Sequence, residues 1–219
     1  AGCKAASLNK TSSPAKLVLE NGRTIESEKI LVSVGRRPLL DNETIQSLNL
    51  KMAGPAIEIN EKTETSVPGV YAIGDVTGKT YLAHGATAQA EVAAANAAGG
   101  NEKLADYSLI PRVIYTFPEV ASVGKTEEAC KAEGIETSVG KAFFRANGRA
   151  AAQNETAGEA RVIRDNQSNK IVGITIVGAT ATELITLARM FIGTSEKAVH
   201  ITFPHPTFSE TLEEAIQND

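Results

Sequence analysis

The sequence predicts an α+β chain: partial α/β segments come first, and a C-terminal domain of antiparallel strands and helices follows. Three observations carry this. From "LIPRVIYTFPEVASVG" onward the pattern changes, and "IETSVGKAFF", "GEARVIRD" and "KIVGITIVG" read as successive strands before the helically spaced "ATATELITLARMFIG". Near the start, Asn21-Gly22 sits between two short β-prone stretches, the strongest short-range hairpin signal. Between these regions lies one alanine-rich helix former, "LAHGATAQAEVAAANAAGG".

Taken in order, "AKLVLENGRTIES" is the hairpin, and "EKILVSVG" is a near-continuous apolar run closing on Gly35, as expected of a strand covered on both faces. "RRPLLDNETIQSLNL" reads as a loop with a short helix. "AIEINEKTETSVPGVYAIGD" holds two strand candidates, the second ending at Gly74-Asp75. The alanine-rich helix begins near Leu82 and is stopped by Gly99-Gly100. Thr126 caps "EEACKAEG", with Gly134 as terminator. "NQSN" is a turn. The boundary between the two patterns falls near residues 105–110.

Composition narrows the function. The 219 residues carry 22 Lys and Arg against 26 Asp and Glu, net charge −4, with no basic stripe of the kind nucleic acid needs. No apolar run approaches the roughly 20 residues of a membrane span. The first residues, "AGCKAASLNK", contain no signal-peptide core, and a first residue other than Met hints at a processed or excised piece. Cys3 and Cys130 fit neither a CxxC pair nor a metal-ligand spacing, so two reduced thiols in a cytoplasm-like compartment are expected. The three histidines are scattered, and no metal site is expected.

Two stretches are candidates for chemistry. "AIGDVTGKT" resembles a phosphate loop but has one residue too few between Gly74 and Gly78 for backbone N–H groups to encircle a phosphate. A strand ending in Gly-Asp instead puts the Asp75 carboxylate where ligands of α/β proteins collect, followed by a helix N-terminus that favours negative charge. The bland alternative, a loop-capping Asp75, stands beside it. In "HPTFSE", Pro206 suits the first turn of a helix, which puts His205 at the helix entry with Glu210 about one turn on. A carboxylate there fixes an imidazole tautomer for acid/base work, unless the two residues merely cap a terminal helix.

Together the motifs resemble a known family. "TSVPGVYAIGD" is similar to the second flavin signature of the FAD-dependent pyridine-nucleotide disulfide oxidoreductases. "VSVGRRP" resembles the segment leaving their NAD domain, "YLAHGATAQAE" the segment over the flavin, and "HPTFSE" their C-terminal His-Pro-Thr-x-x-Glu. "FFRANGRAAAQNETAGEARVI" and "SETLEEA" point to the dihydrolipoamide dehydrogenase branch. The resemblance implies that residues 1–38 are the tail of an NAD-binding domain, 39–108 the last part of an FAD-binding and central domain, and 109–219 the interface domain of a homodimer. It implies that Asp75 holds the ribitol chain, that Tyr81, Leu82, Ala83 and His84 lie along the flavin, and that Gly35 approaches the nicotinamide nucleotide. His205 is implied as the acid/base serving the partner subunit's site, with Glu210 accepting its other ring N–H.

The family's Gly-x-Gly-x-x-Gly fingerprints and CxxxxC disulfide do not occur here, and Phe203 stands where the family often has a further histidine. The resemblance therefore implies a C-terminal half: FAD and NAD in the intact parent, neither held by this piece, and no activity from the piece alone. It implies a lipoyl domain as the parent's partner, with neither nucleic acid nor membrane, in the cytoplasm or the mitochondrial matrix. A glutathione reductase-like enzyme and a stand-alone dimerisation or binding module remain open as other readings.

Overall fold

A computed structural model describes residues 2–195 and 201–218. The chain divides between Arg37 and Pro38 into two compact units. In the first, β1 (Ala5–Asn9), β2 (Ala15–Leu19) and β3 (Thr24–Ser27) form an antiparallel three-stranded sheet in that order. The β2–β3 hairpin turns where Asn21-Gly22 predicts it: Gly22 has φ +80°, its N–H donates to Leu19 O at 2.9 Å, and Leu17 faces Ile25.

The strand expected over "EKILVSVG" does not form. Leu31, Val32 and Val34 are 91, 68 and 92% exposed, and no described strand pairs with the segment. A strand covered on both faces needs neighbours at its edges and layers above and below, and no described element supplies them.

The second unit opens with α1 (Asn42–Ser47), capped by the Asp41 carboxylate, which accepts from the N–H groups of Glu43 and Thr44. These bonds hold the Asp41 carboxyl below its ordinary range, the Thr44 hydroxyl contributing most. A two-stranded ribbon, β4 (Met52–Ala53) with β5 (Ala56–Ile57), follows. The second strand expected before Gly74 shrinks to a single bridge between Glu64 and Tyr71. Its chain end turns directly into a 3₁₀ helix, Gly74–Thr77. The alanine-rich helix, α2 (Ala83–Ala97), ends as predicted, with Gly99 at φ +90° just beyond its cap.

The C-terminal half is a five-stranded antiparallel sheet: β6 (Arg112–Ile114), β7 (Glu119–Gly124), β8 (Thr137–Phe143), β9 (Glu159–Asp165) and β10 (Ile171–Gly178), in spatial order β6-β7-β10-β9-β8. Helix α3 (Glu127–Ala132) follows β7, capped by Thr126, whose Oγ1 accepts from the Ala129 N–H. Helix α4 (Gly148–Gln153) follows β8. Register builds the core. Ile174 faces Val123 on one side and Val162 on the other; Ile176 likewise faces Ala121 and Ala160. The period-2 alternation points these residues to one face, all essentially buried. Two amphipathic helices cover that face, α5 (Ala181–Arg189) over β7 and β10 and α6 (Ser209–Gln217) over β8 and β9. The Glu119 side chain of β7 pins the start of α5, accepting from Thr182 N at 3.0 Å and Thr182 Oγ1 at 2.8 Å.

Phe144 ties this core to the C-terminal loop. It is fully buried, its ring lies 5.9 Å from that of Phe208, and a Cβ on Gly178 would meet it at 2.8 Å. Only glycine leaves room for the ring at that point of β10. Among the described residues no helix is long and apolar enough to cross a membrane.

Phe144→Ala is expected to lower the unfolding free energy by about 3–5 kcal/mol in urea denaturation. Phe143→Ala, at the neighbouring exposed position, should cost under about 1 kcal/mol. Equal costs would mean that Phe144 is not a core anchor.

Candidate functional site

The C-terminal loop presents His205 beside α6. The Glu210 carboxylate is shared: Oε2 accepts from the Thr207 backbone N–H at 2.7 Å, and Oε1 lies 2.7 Å from His205 Nδ1. Thr207-Phe208-Ser209-Glu210 thus supplies the backward half of a capping box, in which an acid reaches back to the N–H at the helix entry. The Thr207 hydroxyl turns the other way, donating to Pro204 O at 2.7 Å and meeting Ser209 Oγ at 2.8 Å.

This geometry corrects one expectation. Pro206 does not lie in the first turn of a helix; α6 begins at Ser209. The bond between Thr207 N and Glu210 sets the helix start downstream of the proline, and His205 lies in the loop before it. The capping and proton-handling roles, opposed in the sequence, are compatible here because the two carboxylate oxygens are used separately.

The electrostatics follow. The Thr207 N–H first, and His205 second, hold the Glu210 carboxyl below its ordinary value. Burial, helped by the Glu210 charge, raises that of Glu213 in the same helix. An ionised Glu210 accepts the Nδ1 proton of neutral His205 and leaves Nε2 with its lone pair. The His205 side chain is 78% exposed and that of Glu210 is 25% exposed. The arrangement is an anchored imidazole with an accessible edge.

A second constellation forms around Gly74. Helix α2 packs on the 3₁₀ turn, joined through Gln89, which is fully buried. Gln89 Oε1 accepts from Gly74 N at 2.6 Å, and its Nε2 donates to Tyr107 OH at 2.9 Å and Thr77 Oγ1 at 3.1 Å. Thr77 Oγ1 donates in turn to Gly74 O at 2.8 Å. The turn that carries Asp75 is therefore fixed from below, and Asp75 itself is exposed. No side chain caps α2 at Leu82, so its first-turn N–H groups keep their capacity to donate outward. Tyr81 and Leu82 are half-buried, while Ala83 and His84 are exposed. The His84 ring is engaged, with Nε2 2.6 Å from Pro111 O. Gly85 lets the helix start approach Thr80, whose methyl a Cβ would meet at 2.5 Å.

Gly35 belongs to the first unit, at φ +109°, with open space where a Cβ would stand. Among the described residues, no hydrogen bond joins the His205–Glu210 pair to the Asp75 turn. Cys3 and Cys130 are free thiols, and burial raises the pKa of Cys130. The described residues contain no metal-ligand cluster. Gln89 and Asn147, a buried cap of α4 bonded to Thr207 and Thr211, were not legible in the sequence.

Comparison with known proteins agrees with this layout. Residues 2–90 match the family description "Pyridine nucleotide-disulphide oxidoreductase", and residues 110–216 match its dimerisation domain. The chain belongs to the pyridine nucleotide-disulphide oxidoreductase family. It is 38% identical to dihydrolipoyl dehydrogenase 3 of Pseudomonas putida, over 99% of this chain and 48% of that protein. It is 40% identical to the dihydrolipoyl dehydrogenase of Cupriavidus necator, over 88% of this chain and 41% of that one. The chain spans about half the length of the curated relatives it matches. The crystal structure of LpdA from Mycobacterium tuberculosis superposes with a TM-score of 0.85 at 24% identity, covering 98% of this chain and 48% of that one, a likeness of fold.

Glu210 contributes stability that is fully present above its ordinary pKa of 4.5 and is lost as pH falls through its lower folded value. The melting-temperature gap between wild type and Glu210→Gln should therefore be widest near neutrality and close in acid. A gap that widens below pH 4.5 would contradict the carboxylate's two bonds.

Proposed function

We propose that this chain is the C-terminal half of a homodimeric dihydrolipoamide dehydrogenase, which oxidises dihydrolipoamide with NAD+ through a redox disulfide and FAD. The observation that carries the reading is the His205–Glu210 pair at 2.7 Å, on a loop held against the dimerisation domain. The names of the relatives support the substrate. In this reading residues 1–38 are the tail of the NAD-binding domain, 39–108 the end of the FAD-binding and central domain, and 109–219 the interface domain. Gly35 borders the nicotinamide nucleotide. The compartment is the cytoplasm, or the mitochondrial matrix in a eukaryote, and the outside partner is the lipoyl domain of a 2-oxoacid dehydrogenase complex.

The residues around Gly74 fit a flavin. Asp75 offers an exposed carboxylate to the ribitol hydroxyls, and the uncapped start of α2, from Ala83 onward, offers N–H donors to negative charge on the ring. Tyr81, Leu82 and Ala83 would lie along the ring, with His84 tied back to Pro111. Bound there, FAD supplies the two-electron relay between the disulfide and NAD+.

The chain's own chemistry is proton transfer. His205 Nε2 takes the proton of a dihydrolipoamide thiol, because the thiolate, not the thiol, attacks a disulfide. Glu210 holds Nδ1–H throughout and lies against the imidazolium once it forms. Attack forms a mixed disulfide and expels a cysteine thiolate, and His205 returns the proton to that thiolate. The exposed imidazole serves the partner's disulfide across the two-fold axis, so dimerisation and turnover are coupled.

In the flavoprotein that carries this chain, His205→Gln should reduce turnover of dihydrolipoamide with NAD+ by about 10²–10⁴-fold, while the 219-residue chain alone turns over nothing. Unchanged turnover in the variant would remove His205 from the mechanism. Preference for glutathione disulfide and NADPH would reassign the substrate.

A further inference from the structure

We propose that Asn147 is a positioning residue for His205, acting through Thr207 and Glu210. The side chain of Asn147 is nearly buried, at 7% exposure, and all its polar atoms are used. Its Oδ1 accepts from the Ala150 N–H at 3.0 Å and so caps α4. Its Nδ2 donates twice, to Thr207 O at 2.9 Å and to Thr211 Oγ1 at 3.0 Å.

Those two acceptors bracket Glu210. Thr207 is the residue whose N–H binds Glu210 Oε2, and Thr211, buried at 1% exposure, immediately follows Glu210 in α6. One amide therefore fixes the carbonyl of the loop residue and the first turn of the helix relative to each other. With both ends held, the Thr207 N–H points at one carboxylate oxygen, and the other is left for His205 Nδ1. The amide is itself held by the α4 cap. The route from core to imidazole is thus a chain of hydrogen bonds: α4, Asn147, Thr207, Glu210, His205.

A side chain that only stabilised the fold would need the cap and little else. The two donated bonds reach 60 and 64 residues along the chain, and both end at the Glu210 segment. Removing the donors while keeping the cap frees the Thr207–Phe208 peptide to rotate, which lets Thr207 and Glu210 shift against each other and loosens Glu210 Oε1 from Nδ1. The neutral ring then exchanges between its two N–H tautomers, and part of the population carries its proton on Nε2, where it cannot act as a base.

The inference rests on the proposed acid/base role of His205 only for its kinetic consequence; its structural content is tested separately. Asn147→Ser keeps an oxygen that caps α4 and removes both amide donors. Imidazole ¹⁵N shifts of the 219-residue chain above the titration of the ring, assigned by comparison with His205→Gln, report the tautomer directly. In wild type neutral His205 should be the Nδ1–H form, and in Asn147→Ser a mixture. In the flavoprotein, the same substitution should lower kcat/KM for dihydrolipoamide by about 10–100-fold through kcat. An unchanged tautomer in Asn147→Ser overturns the proposal, even if activity falls, because the residue then acts through stability alone. A shifted tautomer sustains it even if His205→Gln leaves turnover intact, an outcome that sinks the acid/base reading instead. Should Asn147→Ser fail to fold, Thr211→Val removes one acceptor, leaves the cap in place, and should give a smaller shift in the same direction; no shift there overturns the proposal.

Discussion

The second unit depends, at its C-terminal end, on one carboxylate divided between two donors. Glu210 closes the entry to α6 through Thr207 N and holds the His205 ring through its other oxygen. Because the backbone bond is the larger cause of its lowered pKa, the charge that orients the imidazole is secured by the fold. A helix cap and a ring anchor are the same group, so losing either removes the setting for the other.

The antiparallel sheet makes this arrangement rigid. Its register stacks Val123, Ile174 and Val162 in one row and Ala121, Ile176 and Ala160 in the next, and α5 and α6 close over them. Small residues alternating with branched ones let the helices sit close to the sheet. Phe144 crosses from this core to Phe208, beside Thr207, so packing and hydrogen bonding converge on the same short loop.

What the sequence disclosed was local. The Asn21-Gly22 hairpin, the Thr126 cap and the glycine stop of α2 each depend on a few neighbouring residues, and all three form. The segment "EKILVSVG" failed because its apolar content specifies burial but not the neighbours that provide it. Pro206 misled because a favourable first-turn residue was outweighed by the Thr207–Glu210 contact. The His205–Glu210 spacing was legible from the motif. Gln89 and Asn147 were not, since an amide in an alanine-rich helix or after a strand gives no sign of partners 12 to 64 residues away.

The glycine at 178 gains a meaning from its neighbour that its place in a strand would not suggest. A side chain there displaces the Phe144 ring, and that ring abuts the residue at the mouth of α6. In a saturation screen scored by enzyme function, position 178 should therefore group with the residues around the imidazole, although it lies at the end of a strand and they lie in a loop. Genetics would register as a defect of the His205 loop what is, in origin, a collision beneath it.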